Sequence, residues 1–169
     1  MEFWEDVLSN LIGAGVGALC GAFLGYWFGL KQEYKMRENE EKDNKNQLIK
    51  SLINEISENK EYLENELKEI VIKDETVIKI FDVKLLTHSF ESGVFSGRFS
   101  LLSPETQSIL SNYYLGCSRM NDYLSRFETG NFQKIEQVKV LSSFTSDWYD
   151  RLKKTSNSIL HILKSELSP

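Results

Sequence analysis

Five glycines recur at every fourth position inside residues 7–30, a stretch without Lys, Arg, Asp or Glu. They are Gly13, Gly17, Gly21, Gly25 and Gly29. A helix over this stretch is about 36 Å long, which is enough to cross a bilayer with some tilt. Glycine costs a helix about 1 kcal/mol relative to alanine, and a membrane span does not require it. The repeat therefore predicts a membrane helix that another helix backbone approaches closely.

Residues spaced by four form rows along a helix, because four residues advance it by about 400°. The glycine row lies beside a second small row, Ala14, Ala18 and Ala22, and the other two rows are bulky. Small rows let membrane helices pack backbone to backbone. Two adjacent small rows favour a neighbour on each side, so we expect a glycine-zipper homo-oligomer. The alternative is that small residues only ease insertion or flexibility.

The flanks of the stretch predict how the helix is oriented. Lys31, Lys35 and Arg37 follow it, and no Lys or Arg precedes it. By the positive-inside rule, the N-terminus lies outside and the C-terminal part in the cytoplasm. The acidic start lacks the basic region of a signal peptide, which indicates a retained anchor. In a pore, Ser9 and Asn10 would lie at the outer mouth.

Composition limits the functions open to the rest of the chain. The formal net charge of -5 argues against general nucleic-acid binding, which requires a basic surface. Cys20 lies in the predicted span and Cys117 in the remainder, so no disulfide is expected within the chain. We predict three regions: an anchor over 1–30, a charged helical neck over 31–46 and a helical bundle over 47–169.

The helical pattern continues beyond the neck. An apolar stripe that starts at Leu48 predicts a helix ending near Lys73–Asp74, and the state of the β-branched run Thr76–Ile80 is left open. A short helix is expected over Leu85–Ser92, stopped by Gly93 and followed by a turn at Gly97.

Two long helices complete the predicted bundle. Ser103-Pro104-Glu105 is a helix start, with a capping serine and proline at the first position, and this helix is expected to run to about Glu128. The last helix is predicted from Gln133 to Glu166. Long amphipathic helices joined by short loops indicate an antiparallel bundle, so the predicted fold is all-α.

The middle of the chain carries a recognisable pattern. It consists of Leu86-Thr87-His88-Ser89-Phe90-Glu91-Ser92-Gly93, then Leu101-Leu102-Ser103-Pro104-Glu105, then Tyr113 or Tyr114 and Asn121. It resembles small prokaryotic single-pass membrane proteins of unknown function, which implies a bacterial or archaeal cytoplasmic membrane. The layout also resembles the CRISPR-associated membrane accessory proteins of antiphage defence. That resemblance implies a ring-shaped pore or a signal-gated effector.

No catalytic or metal-binding pattern is found. The two histidines, His88 and His161, lack the spacing of a metal site, and no phosphate loop is present. Arg151 and His161 are too far apart along a helix to form the dyad of helical ribonucleases. We therefore expect no catalytic residue, metal or cofactor, and a protein that is not an enzyme.

Seven polar and aromatic residues on the last two helices are candidates for a subunit interface or a ligand pocket, with plain core packing as the alternative. They are Tyr113, Tyr114, Arg119, Asn121, Tyr123, Trp148 and Arg151.

Three functional classes follow. The first is a homo-oligomeric membrane protein, a ring or pore assembled and regulated by its cytosolic domain, with a defence-system partner in the CRISPR-linked version. The second is a membrane-tethered sensor that binds a small nucleotide through a basic pocket, for which Arg98, Arg119, Arg126 and Arg151 are available. The third is a membrane-bound ribonuclease.

Overall fold

The computed structural model describes the backbone of residues 2–65, 67–72, 76–81, 83–128 and 135–167, and the side chains of 15, 17–65, 83–126 and 147–167. Helices dominate these residues, which confirms the predicted helical fold class. The elements are α1 (Glu2–Asn65), β1 (Leu67–Ile72), β2 (Thr76–Phe81), α2 (His88–Phe95), a 3₁₀ turn (Arg98–Leu101), α3 (Pro104–Glu128) and α4 (Ile135–Glu166). The chain divides into two compact units, Met1–Lys42 and Asp43–Pro169.

The two long C-terminal helices follow the sequence prediction. The helix α3 begins at Pro104, where Ser103 accepts a hydrogen bond from the Thr106 amide, and it ends at Glu128. The helix α4 ends at Glu166 as predicted, and its predicted first residue, Gln133, lies outside the described residues. The charged neck, residues 31–46, is helical and belongs to α1.

A β-hairpin replaces the predicted end of the long helix. The helix α1 ends at Asn65, so the predicted end near Lys73–Asp74 is wrong. The strands β1 and β2 pair antiparallel, with Leu67 opposite Phe81 and Ile72 opposite Thr76. Both strands are rich in β-branched residues, which lose side-chain freedom in a helix and favour strands. The hairpin adds strands to a fold predicted to be all-α.

The short helix α2 starts and ends later than predicted. It spans His88–Phe95, and Gly93 lies inside it rather than stopping it. A Cβ atom at Gly93 would lie 2.6 Å from Leu48 Cδ1, so this glycine allows α2 to approach α1 closely. The chain turns instead at Gly97, whose φ of 75° is left-handed, and this confirms the predicted turn.

Three helices form the bundle of the second unit. Tyr113 and Ser156 meet across α3 and α4, and Ser103 meets Glu166, so these two helices run antiparallel. Lys45 approaches Glu166 and Glu64 approaches Lys153, so α4 is also antiparallel to the second half of α1. The predicted helical bundle is confirmed.

The core of the bundle is made by apolar stripes that follow the helical period. Its buried residues are Leu48, Ile49, Leu52, Ile56 and Leu63 of α1, Leu110, Tyr113, Tyr114, Cys117, Met120 and Leu124 of α3, and Leu152, Ile159 and Leu163 of α4, together with Leu85 and Leu102. Gly116 brings α3 close to α4, because a Cβ atom there would lie 2.9 Å from Leu152 Cδ2.

Two asparagine side chains hold the irregular segment between the hairpin and α2. The side chain of Asn59 in α1 accepts a hydrogen bond from the Leu86 backbone amide at 2.6 Å and donates one to the Leu86 carbonyl at 2.8 Å. Asn121 of α3 does the same for Leu85, at 2.7 and 2.8 Å. Each amide thus satisfies one residue's backbone as a neighbouring strand would. We call these four residues the asparagine clamp.

A buried carboxylate caps the N-terminus of α2. Glu55 of α1 is 4% exposed and accepts the Ser89 and Phe90 amides at 2.6 and 3.4 Å. Thr87 precedes α2, but its side chain makes no capping bond and donates instead to Glu91. The negative charge of Glu55 suits the positive end of the helix dipole and fixes α2 against α1.

Glu166, at the end of α4, contacts the start of α3 and the interior of α1. Its Oε1 accepts the Thr106 hydroxyl at 2.8 Å and the Ser103 amide at 3.3 Å, and its Oε2 lies 3.5 Å from Lys45 Nζ. Burial alone would raise the pKa of this carboxyl. The hydrogen bonds from Ser103 and Thr106 and the Lys45 charge outweigh burial and lower the pKa.

The asparagine clamp predicts a large loss of stability in Asn59→Ala. The change removes two hydrogen bonds and leaves both backbone groups of Leu86 without a partner, so the free energy of unfolding should fall by about 2–3 kcal/mol. Asn54→Ala, at an exposed site on the same helix, is the matched control and should change it by less than about 0.5 kcal/mol. Denaturant unfolding measures both, and equal stability of the two variants would contradict the clamp.

The Glu166 contacts predict a pH-dependent difference between the wild type and Glu166→Gln. Since folding lowers this pKa, the carboxylate stabilises the fold above its unfolded-state pKa, and this stabilisation is lost as pH falls through the folded-state value. At neutral pH the variant should be less stable by about 1–2 kcal/mol, and the difference should vanish in acid. Glu61→Gln, at an exposed position, is the control. A pH-independent difference would be the contrary result.

Candidate functional site

Apart from the half-buried Leu30, the described apolar side chains of the N-terminal unit are exposed. Leu19, Phe23 and Trp27, which lie in one row along α1, are 74%, 65% and 59% exposed, and Phe28, about 100° further around the helix, is 65% exposed. A helix that is apolar all round is ordinarily buried, in a large core or in a membrane. Among the described residues, nothing of this chain covers these side chains.

The glycine row is open as well. A Cβ atom at Gly17, Gly21, Gly25 or Gly29 would have no neighbour within 4 Å. Ala18 and Ala22 are exposed beside them. Within the described residues, the predicted packing face therefore has no partner from its own chain. Four further predicted residues, Gly13, Ala14, Ser9 and Asn10, have side-chain positions that lie outside the described residues.

Within the described residues, no helix is both long enough and apolar enough to cross a membrane. The predicted span starts at Val7, and the side chains of residues 7–14 and of Val16 lie outside the described set.

Two of the predicted interface residues, Tyr113 and Tyr114, belong to the core. Each is 2% exposed, and their rings meet edge to face with centroids 5.2 Å apart. Burial raises the pKa of both hydroxyls, helped by Cys117 at Tyr113 and by Glu55 at Tyr114. Phe90 of α2 stacks on Tyr114 at 4.4 Å. Tyr114 therefore fixes the α2–α3 contact, Tyr113 meets Ser156 of α4, and neither ring faces a ligand at the surface.

Asn121 also has a structural role, because both ends of its amide are used in the asparagine clamp. The signal for this role was present in the sequence as a polar residue within a helix, but its partner is 36 residues away.

Three of the predicted residues do form a surface cluster on α3 and α4. The Arg119 and Arg151 guanidinium carbons lie 5.5 and 6.0 Å from the centre of the Trp148 ring. Both arginines are exposed and Trp148 is half-buried. Such cation–π contacts hold the side chains in place without neutralising their charge. Tyr123 is separate and lies under Arg126, at 5.8 Å.

No arrangement for catalysis or metal binding is found in the described part of the chain. No group of three His, Cys, Asp or Glu side chains there could hold a metal ion. His161 is exposed on α4, and among the described side chains Arg151 makes no hydrogen bond to it. The geometry gives no support to a ribonuclease dyad.

A groove between α1, α2 and the 3₁₀ turn was not predicted. Its volume is about 210 Å³, and its lining contains no acidic residue. The lining residues are Leu48, Ser51, His88, Ser89, Ser92, Gly93 and Arg98. The sequence pointed to Arg98 only as a basic residue, and the serines come from separate helices that tertiary packing brings together.

Comparison with protein families, characterised proteins and solved structures gave no match to this chain. The resemblances noted from the sequence therefore stay expectations.

The buried thiol of Cys117 gives a test of the α3 core. Burial raises its pKa to about 12, so the reactive thiolate is scarce at neutral pH. In a Cys20→Ser background, a maleimide should label native Cys117 at least about a hundredfold more slowly than the urea-unfolded chain. Labelling of the native protein at the unfolded rate would contradict this packing.

Proposed function

We propose that this chain is a membrane-anchored protein that self-associates through its N-terminal helix. The observation that carries the proposal is the exposure of the apolar side chains of α1 over residues 17–29. In water, a surface of this kind is a liability that is ordinarily covered by a membrane or a partner. In the unit Asp43–Pro169 the apolar stripes are buried. The described apolar side chains of α1 are therefore covered in its second half and exposed in its first.

The glycine row supports self-association in the bilayer. Lipid can cover the bulky side chains of this helix, such as those of Leu19, Phe23 and Trp27. A row of bare backbone gains more from another helix, since close packing supplies the attraction between helices in lipid. The open space at Gly17, Gly21, Gly25 and Gly29 is what such a partner would require.

The proposed assembly is a closed ring of identical chains. Two adjacent small rows, glycine and alanine, give each helix a neighbour on either side, and identical contacts that close make a cyclic oligomer. If the small face instead lined the pore, a lumen of glycine and alanine would select poorly among ions and would gate by dewetting. Such a ring would suit membrane depolarisation, and a role in antiviral defence would follow from the layout resemblance alone.

Lys31, Lys35 and Arg37 set the proposed orientation. Basic residues after the span favour a cytoplasmic location for the helical bundle, in a prokaryotic cytoplasmic membrane. The bundle would then assemble or regulate the ring.

Gly21→Leu tests the glycine row. A leucine side chain would keep the helices apart, so the oligomer in mild detergent should dissociate, with association weakened at least about tenfold. Gly15→Leu is the matched control, because Gly15 lies in a bulky row and has equal open space around it. Size-exclusion chromatography with light scattering measures both, and circular dichroism checks that the bundle stays folded. An unchanged mass for Gly21→Leu would refute the proposal.

A further inference from the structure

The groove between α1, α2 and the 3₁₀ turn has the donors of an anion site. Its lining combines the Arg98 guanidinium, the His88 imidazole and the hydroxyls of Ser89 and Ser92, without an Asp or Glu. The chain as a whole is acidic, with a formal net charge of -5, so a groove without acids differs from its average surface. An anion would meet hydrogen-bond donors here and no lining carboxylate.

Arg98 is oriented by neutral partners. Its Nε donates to Ser96 Oγ at 3.2 Å, and Ser96 Oγ in turn donates to the Gly93 carbonyl at 3.3 Å. Among the described residues, Arg98 has no carboxylate partner, and its two terminal amino groups make no hydrogen bond. A half-buried guanidinium whose fork stays open is ready to bind two oxygens of one anion.

The turn that carries Arg98 is fixed on both sides. Gly97 before it adopts the left-handed conformation, with φ of 75°. Phe99 after it packs its ring edge to face on Phe90 of α2, with centroids 5.2 Å apart. Because the turn that carries it is fixed, the Arg98 guanidinium is held in place before an anion binds. Binding would therefore cost little conformational entropy.

The donors of the groove are side chains and not the amides of the α2 N-terminus. The Ser89 and Phe90 backbone amides already donate hydrogen bonds to Glu55. The Ser51 hydroxyl donates to its own helix, to the Leu48 carbonyl at 2.9 Å. The Ser89 and Ser92 hydroxyls make no hydrogen bond in the described part of the chain and remain available.

We propose that this groove binds the phosphate group of a small molecule. A guanidinium fork with two hydroxyls and an imidazole matches a tetrahedral oxyanion, which offers several acceptor oxygens in different directions. The phosphate could belong to a soluble metabolite or to a lipid headgroup, and the recognition chemistry is shared. This inference does not depend on membrane insertion or self-association, because every residue in it lies in the unit Asp43–Pro169.

The test uses the full chain in a neutral detergent and inorganic phosphate as the probe. Broadening of the phosphate resonance in phosphorus NMR reports binding, with an expected Kd of about 1 mM. Arg98→Gln should weaken binding at least about tenfold, and Ser92→Ala should weaken it by a smaller factor. Arg126→Gln is the matched control, because it removes an equal charge from an exposed residue outside the groove. Circular dichroism checks the fold of each variant.

A short-chain phosphatidylglycerol, added as competitor, separates the two sources. Displacement of inorganic phosphate at lower concentration supports a lipid headgroup, and failure to displace it supports a soluble phosphate compound. The groove proposal is overturned if the wild type shows no broadening up to about 10 mM phosphate. It is also overturned if Arg98→Gln binds like the wild type, or if Arg126→Gln loses binding equally.

Discussion

Two asparagine amides fix the segment that joins the β-hairpin to α2 against the long helices α1 and α3. Between the hairpin and α2 the backbone has no regular secondary structure and is half-buried, and no strand lies beside it among the described residues. Asn59 and Asn121 supply the missing partners from α1 and α3. Because buried backbone groups must be paired, these amides decide where the segment can lie. The helix α2 begins directly after this segment, and Glu55 fixes its N-terminus against α1.

The two units differ in how far their apolar side chains are buried. In Asp43–Pro169, the stripe of α1 is buried together with stripes of α3 and α4. In Met1–Lys42, described side chains such as Phe23 and Trp27 remain exposed, and the glycines beside them face open space. A self-associating anchor accounts for both observations, because lipid and identical helices would supply the cover that the chain does not.

The sequence predicted those features that depend on local chemistry. The helix α3 starts at Pro104 because a capping serine and a proline define its first turn, and such a signal is complete within a few residues. The end of α1 was misplaced because its apolar pattern runs on into residues that suit a strand as well as a helix. The predicted helix stop at Gly93 is wrong, because the small size of this glycine serves a contact with Leu48 that only the tertiary structure reveals.

Some of the predicted interface residues lie inside the bundle and others on its surface, because tertiary contacts decide which of them are buried. Tyr113, Tyr114 and Asn121 are used inside the bundle, while Arg119, Trp148 and Arg151 form a surface cluster. Sequence composition singles out aromatic and polar residues, but it cannot tell which of them long-range hydrogen bonds will bury. The groove at Arg98 was missed because its lining comes from three separate elements.

The mass of the wild-type full-length protein in mild detergent, measured over a range of protein-to-detergent ratios, tests self-association most directly. Self-association through the glycine row predicts one discrete mass. This mass is a fixed multiple of the 19.6 kDa chain and does not change on dilution into more detergent. A single-chain mass at every ratio would contradict it, because the glycine face would then have no partner to pack against.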